Sequence, residues 1–251
     1  MPTPASRPSA SMGRRSGFEP GLRQPDGDAG GAREGYRRPL TAQEAVLREI
    51  REAIMARRIK PGQWLRQWEV ARQLDVSSVP VREALNTLKA EGQVVYERHR
   101  GYKVVELSGE QLEEIYLARR LLETEVTRRA IPKVDADLIR LLEDLVARMV
   151  DLAAVDDILR YAQTNRDFHF LLFERAGLPR ICRMIEVLWQ NSEAYRSLIA
   201  DPAWYERAHE DHRKLLEACK GGDVERAIAA QDEHRQSALK SIIALLKGPG
   251  S

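Results

Sequence analysis

The stretch at residues 74–89 reads LDVSSVPVREALNTLK, and it decides the fold of the first part of the chain. A compact helix ends near Leu74, and Ser77 or Ser78 is placed to cap the helix that follows. Pro80 falls in the first turn of that helix, where its missing N–H costs nothing. The spacing therefore predicts two helices joined by a tight turn.

The second of these helices has two different faces. Its apolar residues recur at i, i+4 and i+7, and they are Val81, Leu85 and Leu88. Arg82 and Asn86 fall on the other face, which is free to reach outward. A DNA-reading helix of a helix-turn-helix needs one face that packs and one that contacts bases, and this helix has both.

Elements on both sides complete a winged helix. Thr41 followed by Glu44 is a capping-box pattern, which predicts a first helix from residue 41 to about residue 57. The other predicted elements are a helix at 68–74 and strands at 94–97 and 102–105, around the basic tip Arg98-His99-Arg100-Gly101. This order predicts a winged helix-turn-helix DNA-binding domain over residues 40–107.

Several side chains of this domain are candidates for DNA contact. Arg82 is placed to bind a guanine in the major groove, while serines at the helix amino terminus suit phosphates. The candidate DNA-binding residues are Ser77, Ser78, Val79, Arg82, Asn86, Arg98, Arg100 and Gly101. For Arg82 taken alone, a solvated arginine paired with a nearby acid is the alternative.

The remainder of the chain has a simpler pattern. Residues 1–39 are rich in Pro, Gly, Ser and Arg and predict a disordered tail, either dispensable or an arm that assists DNA binding. Residues 108–247 have only helical periodicity, with breaks that divide them into six helices. The predicted fold is mainly α, an N-terminal winged helix-turn-helix followed by an all-α six-helix bundle.

Composition narrows the class of protein. Residues 1–107 carry 19 basic and 13 acidic residues, whereas residues 108–251 carry 21 basic and 25 acidic residues. This distribution is typical of a protein that contacts a polyanion with its N-terminal part alone. Cys182 and Cys219 lack metal-like spacing. The chain has neither an apolar run long enough to cross a membrane nor a secretory signal, so we expect a cytoplasmic protein without a membrane partner.

The predicted bundle contains candidate metal ligands. Asn165 and His169 are i, i+4 on one helix face, and His212 and His234 lie on two later helices. Three imidazoles and one oxygen could close on a borderline divalent metal such as Zn²⁺ or Ni²⁺. The alternative is that these histidines are solvated or satisfied by hydrogen bonds.

Residues 59–105 resemble the winged helix of GntR-type bacterial transcription regulators. The residues that carry the resemblance are Pro61-Gly62, Leu65, Ala71, Leu74-Asp75-Val76-Ser77, Pro80-Val81-Arg82-Glu83-Ala84-Leu85, Leu88, Glu91-Gly92 and Arg100-Gly101. Ser78 and Val79 stand where the family usually has Arg and Thr. An arginine that contacts the operator in the family is therefore missing here, which implies a different base preference, whereas Arg82 is retained.

Residues 108–247 resemble the FCD ligand-binding domain of the FadR branch, and their six helices are more similar to its VanR subgroup. The residues that carry this resemblance are Tyr116, Arg119, Leu122-Glu123, Asn165, Phe168-His169, His212 through Ala218, Gly222-Asp223 and His234. The resemblance implies that the domain binds effector and forms dimers. It also implies metal ligands at Asn165, His169, His212 and His234, with Asn165 in place of a frequent Asp.

The resemblance also implies a small carboxylate effector bound on the metal. Arg119 matches a family arginine that faces the cavity, although an intrahelical ion pair with Glu123 is an equal alternative. Trp189, Tyr195 and Arg196 lie on a helix that could line the pocket, with core packing as their alternative.

Together these patterns predict a metabolite-responsive regulator and not an enzyme. We expect a repressor that binds a palindromic double-stranded DNA operator as a homodimer. One alternative is a metalloenzyme in which the three histidines activate water, but no acidic residue is placed as an obvious general base. Another is a non-specific DNA-packaging protein, which would require a net charge far above +2.

Overall fold

A computed structural model of the chain describes residues 39–196, 199 and 202–247. The predicted tail at 1–39 lies outside the described residues except for its last residue. The elements, in chain order, are α1 (Ala42–Met55), β1 (Trp64–Leu65), α2 (Gln67–Gln73), α3 (Ser78–Ala90), β2 (Val94–Glu97), β3 (Gly101–Val104), α4 (Gly109–Ala130), a 3-10 turn (Ile131–Lys133), α5 (Ala136–Ala154), α6 (Ile158–Glu174), α7 (Pro179–Arg196), α8 (Pro202–Gly221) and α9 (Val224–Lys247).

The first three helices and a small antiparallel sheet form the winged helix. Thr41 and Glu44 cap α1 reciprocally, as the sequence predicts. The strands lie in the order β1-β3-β2, with Tyr96 of β2 opposite Tyr102 of β3. The edge strand β1 was not predicted, because two residues are too short for any periodicity to show.

The helix α3 is built as predicted except at its amino terminus. Its inward residues are fully buried, and they are Val81, Ala84, Leu85 and Leu88. Ser77 occupies the N-cap position, one of the two predicted, but its side chain does not make the capping hydrogen bond expected of it. The start of α3 is held from outside instead, because the side-chain amide of Gln67 donates to the carbonyl of Ser78 over 2.7 Å.

The helices α4–α9 form an all-helical bundle, as predicted. Ser108 and Gln111 form a capping box at the start of α4, and Asp135 and Asp157 cap α5 and α6. The bundle buries its own apolar core, separate from the core of the winged helix. None of the helices in the described part of the chain has both the length and the apolar composition that a membrane span requires.

The helix α7 connects the bundle to the winged helix. Arg51 of α1 donates to Glu91 over 2.6 Å and to Gln190 of α7 over 3.4 Å. The hydroxyl of Tyr195 accepts from the backbone N–H of Leu107, in the segment between the two cores, over 2.6 Å. Polar contacts of this kind set an orientation without merging the two cores.

Candidate functional site

Three histidines from different helices of the bundle converge on one point. His169 of α6, His212 of α8 and His234 of α9 are all buried, and one ring nitrogen of each lies within 4.8 Å of the others. The Nε2 atoms of His169 and His212 are 3.2 Å apart. Residues that lie 43 and 22 positions apart in the sequence therefore form a single cluster.

The separation of the nitrogens fits a shared metal ion. Two imidazoles bonded to one ion at about 2.1 Å have their nitrogens roughly 3.0 Å apart in octahedral geometry and roughly 3.4 Å apart in tetrahedral geometry. The observed 3.2 Å between His169 and His212 lies between these values.

The electrostatics of the cluster also favour a cation. Burial, and then the neighbouring imidazoles, hold the pKa of His169 and of His212 well below the ordinary value. Burial likewise lowers the pKa of His234, and the Asp211 carboxylate opposes that shift. Metal ions bind the neutral form of imidazole, and the lowered pKa values keep these three side chains in that form.

A buried carboxylate lies behind the cluster. Glu123 of α4 is fully buried and accepts hydrogen bonds from four side chains, which are Arg119 (2.8 Å), Trp189 (2.7 Å), Gln231 (3.2 Å) and Arg235 (2.5 Å). Burial alone would raise its pKa, but the two guanidinium charges and the hydrogen bonds lower it to about 2. Glu123 is therefore ionised and can only accept.

This carboxylate determines which nitrogen of His169 is available. Because Glu123 only accepts, the amide nitrogen of Gln231 must face it, and the amide oxygen of Gln231 must face His169. That oxygen lies 3.1 Å from Nδ1 of His169, so Nδ1 carries the proton. The lone pair of Nε2 is then directed into the cluster, as in metal sites whose histidines are oriented by hydrogen bonds.

Other polar atoms of the site have no partner. Oδ1 of Asn165 and Nε2 of His234 are buried without a hydrogen bond among the described residues. Asp211 lies 3.6 Å from Nδ1 of His234, close enough to orient the ring. Unpaired buried polar atoms are costly, and these orphaned atoms fit a site whose ligand is a cation.

A cavity of about 30 Å³ lies between α6, α7 and α8. Its lining is largely apolar and aromatic, and the lining residues are Ile158, Tyr161, Ala162, Asn165, Glu193, Arg196, Trp204 and Tyr205. Asn165 lies one helical turn before His169, so the cavity adjoins the histidine cluster. The volume corresponds to about two water molecules.

Arg196 is the cation of this cavity. In the described part of the chain its guanidinium makes no ion pair, and it stacks on the ring of Trp189 at 4.6 Å. Burial lowers the pKa of Arg196, the charge of Arg119 adds to that shift, and Glu193 of the same cavity opposes it. A partly buried guanidinium that makes no ion pair among the described residues suits a carboxylate ligand.

The other three predicted effector residues are engaged elsewhere. Arg119 pairs with Glu123, which is the alternative that its i, i+4 spacing allowed. Trp189 is buried and donates its indole N–H to the same carboxylate. Tyr195 is buried and binds the backbone of Leu107. Each of these side chains forms a hydrogen bond or an ion pair within the protein, and sequence spacing alone could not identify the partner.

The predicted DNA-reading residues lie together at the exposed start of α3. Ser77, Ser78, Val79 and Arg82 are all exposed, and Arg82 has no hydrogen bond or ion pair in the described chain. Asn86 is also exposed, but its side-chain oxygen accepts from the hydroxyl of Tyr102 over 2.9 Å. Asn86 therefore ties α3 to the wing as well as facing outward.

The wing residues are more constrained than the sequence indicated. Arg98 is exposed, whereas Arg100 pairs with Glu97 at 3.2 Å and stacks over the ring of Trp64 at 4.4 Å. Gly101 has φ of +100°, and a Cβ there would lie 3.2 Å from the carbonyl oxygen of Leu65. The contact with β1 therefore requires a glycine at residue 101, whether or not this residue also approaches DNA.

Sequence reasoning missed the residues that support the histidines. These are Asp211, Gln231 and Arg235, together with the full role of Glu123. A signal was present in α4, where the ionisable Arg119 and Glu123 continue the buried face formed by Leu112, Tyr116 and Val126. Charged residues at core positions of a helix require buried partners, but the sequence does not say on which helix they lie.

Comparisons with known proteins agree with this arrangement. Residues 42–104 match the bacterial regulatory proteins of the gntR family, and residues 114–237 match the FCD domain. An HTH-type transcriptional regulator of Agrobacterium vitis is 32% identical over 128 residues, which cover 50% of this chain and 75% of that protein. The gluconate operon transcriptional repressor of Bacillus subtilis is 32% identical over 148 residues, 58% of each chain.

A solved structure has the same architecture. The McbR/YncC protein of Escherichia coli superposes with a TM-score of 0.74 at 25% identity, covering 81% of this chain and 98% of that one. McbR of Escherichia coli is an HTH-type transcriptional regulator. The family and these relatives are transcription regulators and not enzymes. With its exposed reading helix and the histidine-lined bundle behind it, the chain belongs to the gntR family of bacterial regulatory proteins and carries an FCD domain.

Proposed function

We propose that the protein is a metabolite-responsive repressor that binds a palindromic operator as a homodimer. The observation that carries the proposal is that α7 joins the winged helix to a bundle that holds a buried three-histidine cluster and an adjoining cavity. The domain limits we propose are 40–107 for DNA binding and 108–247 for sensing and dimerisation. The six-helix bundle supports the VanR-like subgroup.

The start of α3 supports sequence-specific DNA binding. Because the side chain of Ser77 makes no capping bond, the first N–H groups of α3 stay available for a phosphate. Arg82 extends from the same end and is free to bind a guanine bidentately. Arg98 at the wing adds a phosphate contact.

The histidine cluster supports a divalent metal, Zn²⁺ or Ni²⁺. His169, His212 and His234 would hold the ion, with the neutral oxygen of Asn165 as a weaker fourth donor. When bound, such an ion supplies a positive centre to which a carboxylate can bind. Arg196 in the adjoining cavity would hold the rest of a small organic acid.

The helix α7 supports a route from the cavity to the reading head. Its residues Glu193 and Arg196 line the cavity, while Gln190 binds Arg51 of α1 and Tyr195 holds the segment that joins the two cores. An effector that displaces Arg196 would move α7 and so change the orientation of the winged helix. The free energy of effector binding would then favour one spacing of the two reading heads over another.

The exposed face of α4 and α9 supports the homodimer. Leu117 and Leu121 lie one turn apart on α4 and are 49% and 64% exposed. Leu121 lines a groove together with the partly buried Ile228 and the small Ala229 of α9, and the charged Arg120, Glu225 and Asp232 also line it. Two exposed leucines beside a groove of apolar and oppositely charged residues let two identical faces pack against each other.

The DNA-binding half is tested with the full-length protein. An operator is selected from random duplexes, and affinity is measured by fluorescence anisotropy against bulk competitor DNA. Arg82→Ala should weaken operator binding about 5- to 150-fold, because a bidentate contact to guanine is lost. Arg148→Ala, which removes an exposed arginine of α5, should leave the affinity unchanged. Equal binding to operator and random DNA would contradict the proposal.

The sensing half is tested by titrating small mono- and dicarboxylates into the operator complex. At least one acid should release DNA from the metal-loaded protein, and Arg196→Met should lose that response while keeping operator affinity. Arg183→Met, on the exposed side of the same helix, is the matched control. Operator binding that is indifferent to every acid and to chelator would refute the sensing role.

A further inference from the structure

The outward face of α3 presents four side chains of different chemistry. They recur at i, i+3, i+4 and i+7 and are all exposed, and they are Val79, Arg82, Glu83 and Asn86. The last of these is partly occupied by Tyr102 of the wing. Val79 is the apolar member of the face and is 48% exposed.

The position of Val79 is fixed by its neighbours. Pro80, whose φ is fixed by its ring, follows it in the first turn of α3, and the side-chain amide of Gln67 donates to the carbonyl of Ser78 over 2.7 Å. A β-branched side chain on a helix has one strongly preferred rotamer. The two methyl groups of Val79 are therefore presented at the tip of α3 in a defined direction.

The major groove offers one apolar feature to such a side chain. Each base pair presents hydrogen-bond donors and acceptors there, and thymine adds a C5-methyl group. Side chains at the amino-terminal end of a recognition helix are the ones that reach base edges. A valine at this point has no hydrogen bond to offer, so its methyl groups can distinguish thymine alone.

We propose that Val79 selects a thymine in each operator half-site by contact with the C5-methyl group, close to the guanine bound by Arg82. This proposal rests on the DNA-binding function proposed above, and it identifies one of the bases that the protein recognises. Arg82 follows Val79 by three residues, or about 4.5 Å along the helix axis, a distance comparable to the 3.4 Å between stacked bases. The thymine and the guanine are thus neighbours or next neighbours.

The test replaces thymines in the selected operator, one at a time, with deoxyuridine, which pairs identically but lacks the methyl group. One position in each half-site should lose about fourfold in affinity for the wild-type protein, the equivalent of one buried methyl group. Val79→Ala should bind the thymine operator more weakly and should be insensitive to uridine at that position. Val150→Ala, an equally exposed valine of α5, should respond like wild type.

The outcomes separate this proposal from the function on which it rests. If random duplexes yield no preferred sequence, the DNA-reading function fails and the proposal fails with it. If a sequence is selected and depends on Arg82, but uridine affects wild type and Val79→Ala equally at every position, the thymine contact alone is refuted. The proposal is supported if uridine at one position in each half-site weakens binding by the wild-type protein but does not weaken binding by Val79→Ala.

Discussion

Replacing Glu123 by Gln should destabilise the bundle more than any surface change of similar size. Every group that faces this carboxylate is a donor, and these groups belong to Arg119, Trp189, Gln231 and Arg235. A glutamine keeps the shape but brings an NH₂ group to face donors. It also leaves two buried guanidinium groups without their shared counter-charge.

The expected loss of stability is about 3–5 kcal/mol. The pKa of Glu123 falls from 4.5 to about 2, and that shift corresponds to about 3 kcal/mol in favour of the ionised form. Removing one partner of a buried ion pair costs about 3–5 kcal/mol by mutational experience. For a chain of this size a loss of about 3–5 kcal/mol should lower Tm by about 6–20 °C.

The pH dependence has a definite sign. Because the folded-state pKa lies below the ordinary value of 4.5, the contribution of Glu123 is complete above about pH 4.5 and is lost as the pH falls toward 2. The difference in unfolding free energy between wild type and Glu123→Gln should therefore be constant from pH 7 to pH 5. It should then shrink steadily between pH 4.5 and pH 3.

The assay is urea unfolding followed by far-UV circular dichroism at each pH, with metal removed by chelator. Glu125→Gln is the matched control, because Glu125 lies on the same helix and forms an exposed i, i+4 pair with Arg129. That variant should change stability by less than about 0.5 kcal/mol. A Glu123→Gln protein as stable as the control, or a difference that persists unchanged to pH 3, would refute the reasoning.

Two further predictions concern the metal and the dimer. His212→Ala should keep the fold but bind at least about tenfold less Zn²⁺ or Ni²⁺, measured by mass spectrometry after dialysis. His209→Ala is the control and should bind as much metal as the wild-type protein. Equal metal contents in the two variants would contradict a metal site at the histidine cluster. Leu121→Glu should convert the dimer to a monomer in sedimentation analysis. Leu141→Glu, which changes an exposed leucine of α5, is the control and should remain a dimer. A dimer in both variants would place the interface elsewhere.

The reading head could be predicted from sequence because its signals are local. The position of Pro80, the apolar period of Val81, Leu85 and Leu88, and the hairpin around Gly101 each depend on residues a few positions apart. The same holds for the helix ends of the bundle, where capping boxes and Gly or Pro breaks mark the limits. The edge strand β1 was missed because it exists only through its pairing with β3.

The sensing site depends on contacts that local patterns do not determine. The sequence named the three histidines, and the structure brings them together. It left open whether Arg119 faces a ligand or Glu123, because both outcomes have the same spacing along α4. Burial of Glu123 decided this, since a fully buried carboxylate requires cations and Arg119 is one of the nearest.

One consequence of this network is that fold stability and metal geometry share a residue. The ionised Glu123 joins α4 to α7 and α9 through Trp189, Gln231 and Arg235, and through Gln231 it also fixes the proton on Nδ1 of His169. If the carboxylate becomes an amide, Gln231 can turn its NH₂ group toward His169, which favours the tautomer that cannot bind metal through Nε2. The loss of stability and the loss of metal affinity should therefore appear together in Glu123→Gln, although Glu123 does not bind the ion.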